Sequence, residues 1–249
     1  MLTCFAAVLL IAAPALTGCD GGPPAAHRAQ EQQYGFPAAD RPVATIVSAR
    51  WSNEEARDRV NEAEAVMDRA GIRKGMTVAD IGAGEGYYTI RLSQRVGPQG
   101  RVLAEDIVPK TRDELATRVS RERLNNVSVR LGLPADPRLP ENSFDRVLMV
   151  HMYHEIESPY EFLWRLRPSL KADGQVIVVD ADRPTQNHGT PPALLKCEFA
   201  AVGYTLVSMQ QMPSAGGYIA IFKAEGPAPE PQKIKACKSG TPGGEPKGS

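Results

Sequence analysis

The sequence predicts an α/β domain built on a seven-stranded, mostly parallel sheet with one antiparallel strand and helices on both faces. Three observations carry that expectation. Between residues 52 and 224, short β-type runs alternate with helical stretches, as in a parallel sheet joined by crossover helices. The run "FDRVLMV" is apolar enough to sit at the centre of such a sheet. The last two β runs are separated only by a short turn, so this hairpin must add one antiparallel strand.

The elements follow in order. "NEEARDRVNEAEAVMDRAGI" reads as one helix, with a cap at Ser52 or Asn53, acidic residues in its first turn and a stop at Gly71. "TVADI" is the first strand, and "YYTIRLSQRVG" a helix with Tyr88, Leu92 and Val96 on one face. "RVLAEDI" is the second strand, "KTRDELATRVSRERL" a charged amphipathic helix and "NVSVRL" the third strand. "FDRVLMV" is the fourth strand. "SPYEFLWRLRPSL" is a helix capped by Ser158 with Pro159 at its first position. "GQVIVVDA" is the fifth strand, "PALLKCEFAAVG" a helix ended by glycine, and "YTLVSMQQM" and "GGYIAIFKA" the closing hairpin. Ligands of open α/β sheets bind outside the carboxyl ends of the strands, which directs attention to the loops after Ile81, Asp106, Leu131, Val150 and Asp180.

The 249 residues are 42% hydrophobic and 23% charged, enough for one domain with a sizeable core. Lys+Arg and Asp+Glu are 29 each, so no basic excess points to nucleic acid. Prolines and glycines crowd into residues 14–42 and 226–249. The expected division is a signal segment over 1–18, a flexible linker over 19–51, the folded domain over 52–224 and a disordered tail over 225–249. No metal site is read, because no spacing such as CxxC occurs.

In "DIGAGEGYY", three alternating glycines follow a strand and open a helix. A phosphate-binding P-loop would need a lysine after its last glycine, and none follows. A dinucleotide turn would need a third glycine where Tyr87 stands. The remaining pattern, Val78-Ala79-Asp80-Ile81-Gly82-Ala83-Gly84-Glu85-Gly86, resembles the hhDhGxGxG turn of class I S-adenosylmethionine-dependent methyltransferases. That cofactor carries an ammonium and a sulfonium, which suit carboxylate and aromatic neighbours such as Asp80, Glu85, Tyr87 and Tyr88.

The resemblance covers roughly residues 52–224 and implies a Rossmann-like sheet with S-adenosylmethionine as cofactor. Asn142-Ser143-Phe144-Asp145 matches the family's lead into its fourth strand. "DPRLP" with the later "VLMV" and "YHE" is similar to a bacterial group of methyltransferases whose acceptors are unassigned. The resemblance gives Asp106 both ribose hydroxyls, since a carboxylate offers two acceptors to two adjacent donors. Asp80, Gly82, Ala83, Gly84, Gly86, Tyr88, Ile107 and His151 complete the expected cofactor contacts. Glu105 is one place off and should face away from Asp106. Relatives place Gly-Asp after the third strand; here Gly132 is followed by Leu133, so the adenine edge falls to Asp136.

Methyl transfer is an in-line displacement that needs a base only when the acceptor holds its proton tightly. His154 and Glu155, after the fourth strand, are the candidate catalytic pair; they could equally pack and cap the following helix. Asp180, Asp182 and His188 could shape an acceptor pocket, though a solvated loop suits each alone better, and Arg57 and Asp58 could form part of a lid, though a solvated helix face is the simpler reading. The acceptor, a small molecule or otherwise, cannot be read.

At the amino end, Phe5 to Leu16 is an apolar run of signal-peptide length. Leu16-Thr17-Gly18-Cys19 resembles a bacterial lipobox, which implies lipidation of Cys19 and membrane anchoring in the cell envelope. No Lys or Arg precedes the apolar run, unlike an ordinary signal. Export motivates a non-enzymatic alternative, a tethered binding protein that keeps the fold. Cys197 and Cys237 remain either to pair or to stay free.

Overall fold

The computed structural model describes residues 35–46 and 54–238. The signal segment, Cys19 and the caps at Ser52 and Asn53 lie outside them. The elements are α1 (Glu54–Arg59), α2 (Glu62–Arg69), β1 (Thr77–Ile81), α3 (Tyr87–Val96), β2 (Arg101–Asp106), α4 (Pro109–Arg121) and β3 (Val127–Leu131). There follow β4 (Phe144–Val150), α5 (Pro159–Leu166), β5 (Leu170–Asp180), α6 (Pro192–Ala201), β6 (Tyr204–Met212) and β7 (Gly217–Ala224).

The strands form one sheet in the order β3-β2-β1-β4-β5-β7-β6. Every pair is parallel except those of β7, which runs antiparallel to both β5 and β6. This is the expected seven-stranded arrangement. Strand order reverses between β1 and β4, so their following loops diverge and leave a crevice.

The period of two along each strand feeds two cores. Val147 and Met149 of β4, Val176 and Val178 of β5, and Phe222 of β7 join Phe162, Leu163 and Phe199 of α5 and α6 on one face. The alternate residues, Leu148, Ile177, Val179 and Ile221, join Val66, Met67, Leu92 and Val96 of α2 and α3 on the other. Phe199 stacks on Phe222 at 3.9 Å between ring centres. Helix α4 lies over β2 through Leu115, which packs with Ala83 and Ala104.

Three expectations need correction. The helix expected over residues 53–72 is two helices, because Asn61 takes a left-handed conformation at φ 55°. Asparagine tolerates that region better than most residues. The break turns Glu62 inward, where it is buried. Part of the stretch expected as linker is packed on the domain, since Phe36 lies edge-on against Trp164 and Arg41 is buried against Glu198 at 2.8 Å.

The folded part also runs past residue 224. Trp164 donates Nε1–H to the Pro229 carbonyl, Ile234 is buried, and Cys237 forms a disulfide with Cys197. The buried Cys237 amide donates to the Tyr160 hydroxyl. One disulfide and a few apolar anchors order a segment whose composition alone suggested disorder.

Candidate functional site

A cavity of about 790 Å³ opens at the carboxyl ends of β1, β2 and β4. Its floor begins at Asp80, the last polar residue of β1, whose Oδ2 accepts a 2.6 Å bond from the Thr89 hydroxyl. Burial raises the Asp80 carboxyl to about 6, against the opposing effects of that bond and the Arg57 charge.

Gly82 and Gly84 follow in left-handed backbone, at φ 66° and 55°. A Cβ on Gly84 would meet nothing within 4 Å, so the loop presents bare backbone. Gly86 is different. It does not line the cavity, and a Cβ there would lie 2.5 Å from Leu115. Its expected cofactor contact is therefore replaced by a packing role, which lets α4 approach the loop.

Asp106 ends β2 and lines the cavity beside Ile107. Its Oδ2 accepts the Gly84 amide at 3.0 Å and its Oδ1 the Val108 amide at 2.9 Å. The carboxylate is thus fixed to the glycine loop, with a further lone pair on each oxygen for a diol. Burial raises its pKa, while the two amide bonds oppose the rise.

Glu105 was expected to face away, yet it lines the same cavity. Its side chain occupies the space that Gly132 leaves open; a Cβ on Gly132 would lie 1.5 Å from Oε1. That oxygen is buried without a hydrogen-bond partner. Burial, reinforced by the Asp106 charge, pushes the carboxyl up to about 8. Sequence periodicity missed it because the sheet ends at residue 106, where both faces converge on the crevice. A second acidic residue directly before Asp106 at the strand end was the available signal.

Asp136 does not reach the cavity. A tight turn pairs Leu133 and Asp136 through two backbone bonds and leaves Pro134 on the wall. The Asp136 carboxylate instead accepts the Arg138 amide at 2.7 Å and lies 3.8 Å from Arg165. Of this turn it is Pro134, and not the expected Asp136, that stands in the cavity lining.

The opposite rim comes from α1 and α3. Tyr87 and Tyr88 line the cavity, and Arg57 lies over both rings, at 3.7 and 5.2 Å from their centres. Glu62 neutralises Arg57 and accepts the Tyr88 hydroxyl at 2.9 Å. Asp58 accepts the Tyr87 hydroxyl at 3.0 Å from outside the lining, so of the two residues Arg57 and Asp58 only Arg57 lines the cavity.

The remaining side of the cavity is built by the turn after β4 and by residues 43–46. His151 lines the cavity in left-handed backbone at φ 55°, with its pKa lowered by burial. Glu155 lines it too, but His154 is fully buried behind the wall. The His154 Nδ1 lies 3.1 Å from both oxygens of Asp180. Asp180 also accepts the Ala181 amide and the Thr190 hydroxyl. His154 thus belongs to a buried network and does not face an acceptor directly. Val43, Ala44 and Ile46 complete the wall. Sequence reasoning missed them because nothing local distinguishes them from linker.

The cavity therefore gathers Asp80, Glu105 and Asp106 beside glycine backbone, and its arginine is already paired. A nucleoside with two adjacent hydroxyls and a cationic tail fits this donor set; a polyphosphate does not.

Comparison with known proteins agrees. Residues 79–178 match the methyltransferase domain family. A ubiquinone/menaquinone biosynthesis C-methyltransferase of Pasteurella multocida is 30% identical over 125 residues, 47% of this chain and 44% of that protein. Nocamycin O-methyltransferase of Saccharothrix syringae is 38% identical over 85 residues, 34% of this chain and 30% of its own length. The chain thus spans about half or less of these curated relatives. Among solved structures, a SAM-dependent methyltransferase from Aquifex aeolicus superposes with a TM-score of 0.59 at 22% identity, covering 69% of this chain and 97% of that one. The likeness extends to a Haemonchus contortus phosphoethanolamine N-methyltransferase bound to S-adenosylhomocysteine, with a TM-score of 0.53 at 18% identity, covering 68% of this chain and 43% of that one.

Proposed function

We propose, for a chain whose residues 79–178 match the methyltransferase domain family, that the protein transfers the methyl group of S-adenosylmethionine to an acceptor by in-line displacement. One observation carries the reading: Asp80, Glu105 and Asp106 converge on a single cavity floored by the left-handed Gly82 and Gly84. When bound, the cofactor supplies an electrophilic methyl on a sulfonium. Asp106 would accept the ribose hydroxyls, and Asp80 would place negative charge near the ammonium. The bare backbone of Gly84 allows close approach.

The wall of Val43, Ala44, Ile46, Ile156 and Phe162 suits an acceptor with an apolar body and keeps water from it. Rate then comes chiefly from alignment. Glu155 is the member of the expected catalytic pair that could take a proton from an acceptor, because His154 lies behind the wall. The tethered, non-catalytic alternative gains nothing from the cavity, whose glycines and carboxyl groups are all in place.

Calorimetry with purified protein tests the proposal. S-adenosylmethionine or S-adenosylhomocysteine should bind, and Asp106→Ala should weaken binding at least about ten-fold through loss of charge-assisted bonds. No binding of either ligand would overturn it; undiminished binding by the variant would overturn the assignment of Asp106.

Anchoring in the cell envelope through a lipidated Cys19 is part of the proposal. Leu16-Thr17-Gly18-Cys19 supports it, as does the Cys197–Cys237 disulfide, a bond favoured in oxidising compartments. Among the described residues, no helix is long and apolar enough to cross a membrane. Mass spectrometry of native protein should find acylated Cys19 as the first residue; an unmodified chain retaining residues 1–18 would refute it.

A further inference from the structure

We propose that His154, Glu155 and His188 form a binding site for a divalent transition-metal cation, with Zn2+ as its representative. One donor atom from each of these residues lies within 4.8 Å of the others. Two imidazoles and a carboxylate are a ligand set suited to such ions, and three protein ligands leave a fourth position open.

The second observation is independent of that proximity. His154 is 0% exposed, and its Nε2 is buried without a hydrogen-bond partner. Leaving such an atom unpaired is costly unless something binds it. Its other nitrogen, Nδ1, is held by both oxygens of Asp180, whose geometry is fixed in turn by Ala181 and Thr190. A carboxylate behind one ring nitrogen sets the tautomer that exposes a lone pair on the other, as carboxylates behind metal-binding histidines do. Asp180 would be the positioning residue of the site.

His188 reaches His154 from the loop after β5. Their rings meet edge to face, 5.4 Å between centres. A tetrahedral ion with bonds of about 2.0–2.1 Å holds its ligand atoms about 3.3 Å apart. The three donors must therefore draw together slightly, through side-chain adjustment of the half-buried Glu155 and His188 around a fixed His154. The ion would tie the turn after β4, which lines the cavity, to the loop after β5. Coordination would remove Glu155 from proton transfer and leave alignment as the source of rate.

The site is tested on untagged full-length protein without S-adenosylmethionine, so its outcome is separate from that of the cofactor reading. After dialysis against Zn2+, elemental analysis should find one bound equivalent. Co2+ should give the visible absorption of a low-coordinate nitrogen-oxygen site. His188→Asn is the primary variant, because His188 sits at φ 57° and asparagine accepts that backbone. It and Glu155→Gln should each weaken Zn2+ binding more than about ten-fold, and Asp180→Asn by about 10–100-fold. His27→Ala should bind as the parent does. Circular dichroism confirms that each variant is folded. Absence of a bound equivalent in the parent, or undiminished binding by folded His188→Asn and Glu155→Gln, would overturn the proposal.

Discussion

Glu105 shares β2 with Asp106, yet the two carboxyl groups have different surroundings. Asp106 accepts two backbone amides, whereas one oxygen of Glu105 is buried without a partner. The folded protein therefore keeps the Glu105 proton up to about pH 8, while an unfolded chain loses it near 4.5. Between those values the unfolded state binds fewer protons, so stability falls as pH rises. The contribution is full below 4.5 and gone above 8, with a slope of at most about 1.4 kcal/mol per pH unit. Denaturant unfolding at pH 5 and pH 8 should show a larger loss in the parent than in Glu105→Gln. Equal losses would mean that Glu105 is not held neutral. The same crowding makes Gly132→Ala destabilising, since a methyl group there overlaps the Glu105 carboxyl. Much of the cradle was legible in the sequence because its parts are local: a glycine turn at one strand end and an acid at the next. Glu105 was not legible, because alternation along a strand stops deciding direction at its last residue.

At the scale of the element, the break at Asn61 is the clearest departure from the sequence pattern. Charged and apolar residues keep helical spacing on both sides, so the periodicity runs straight through the break. Only the backbone shows the left-handed residue. Its effect is to let Glu62 receive both Arg57 and Tyr88 at the cavity rim. Asn61→Ala should cost about 1 kcal/mol in chemical denaturation, and Asn61→Gly should cost less, because the left-handed region penalises a Cβ. The carboxyl-terminal segment hid its order in another way: proline and glycine dominate its composition, while its order depends on Ile234, Cys237 and a partner 40 residues away. Reducing that disulfide should lower stability by up to about 4 kcal/mol, the chain-entropy value for a loop of this length, read as a drop in midpoint with dithiothreitol. An unchanged midpoint in fully reduced protein would show that the tail is held by its packing alone.

For the whole molecule, the seven strands were readable because each is a separate apolar run, and the crevice followed from their order. The cavity wall formed by residues 43–46 was not, because they reach the cavity only through tertiary contacts. Those contacts begin at Arg41, which is fully buried and ion-paired with Glu198. Glu198 also accepts the Tyr153 hydroxyl, and Arg41 donates to the Ile156 carbonyl. Arg41→Ala should destabilise the protein by about 3–5 kcal/mol, because it strands the Glu198 charge in the core. A loss below about 1 kcal/mol in denaturant unfolding would show that water reaches Glu198.

Helix α6 carries Cys197 and Glu198 side by side, so it grips the chain near both ends of the described structure. Asp40 and Lys238 meet in a β-bridge beside them. The stretches around residues 40 and 238 therefore meet at one point. In mechanical terms the pair acts as a strain relief, like the clamp where a cable enters a housing. A pull on the chain ahead of residue 40 would be taken up by Arg41 before it reached Val43, Ala44 and the cavity.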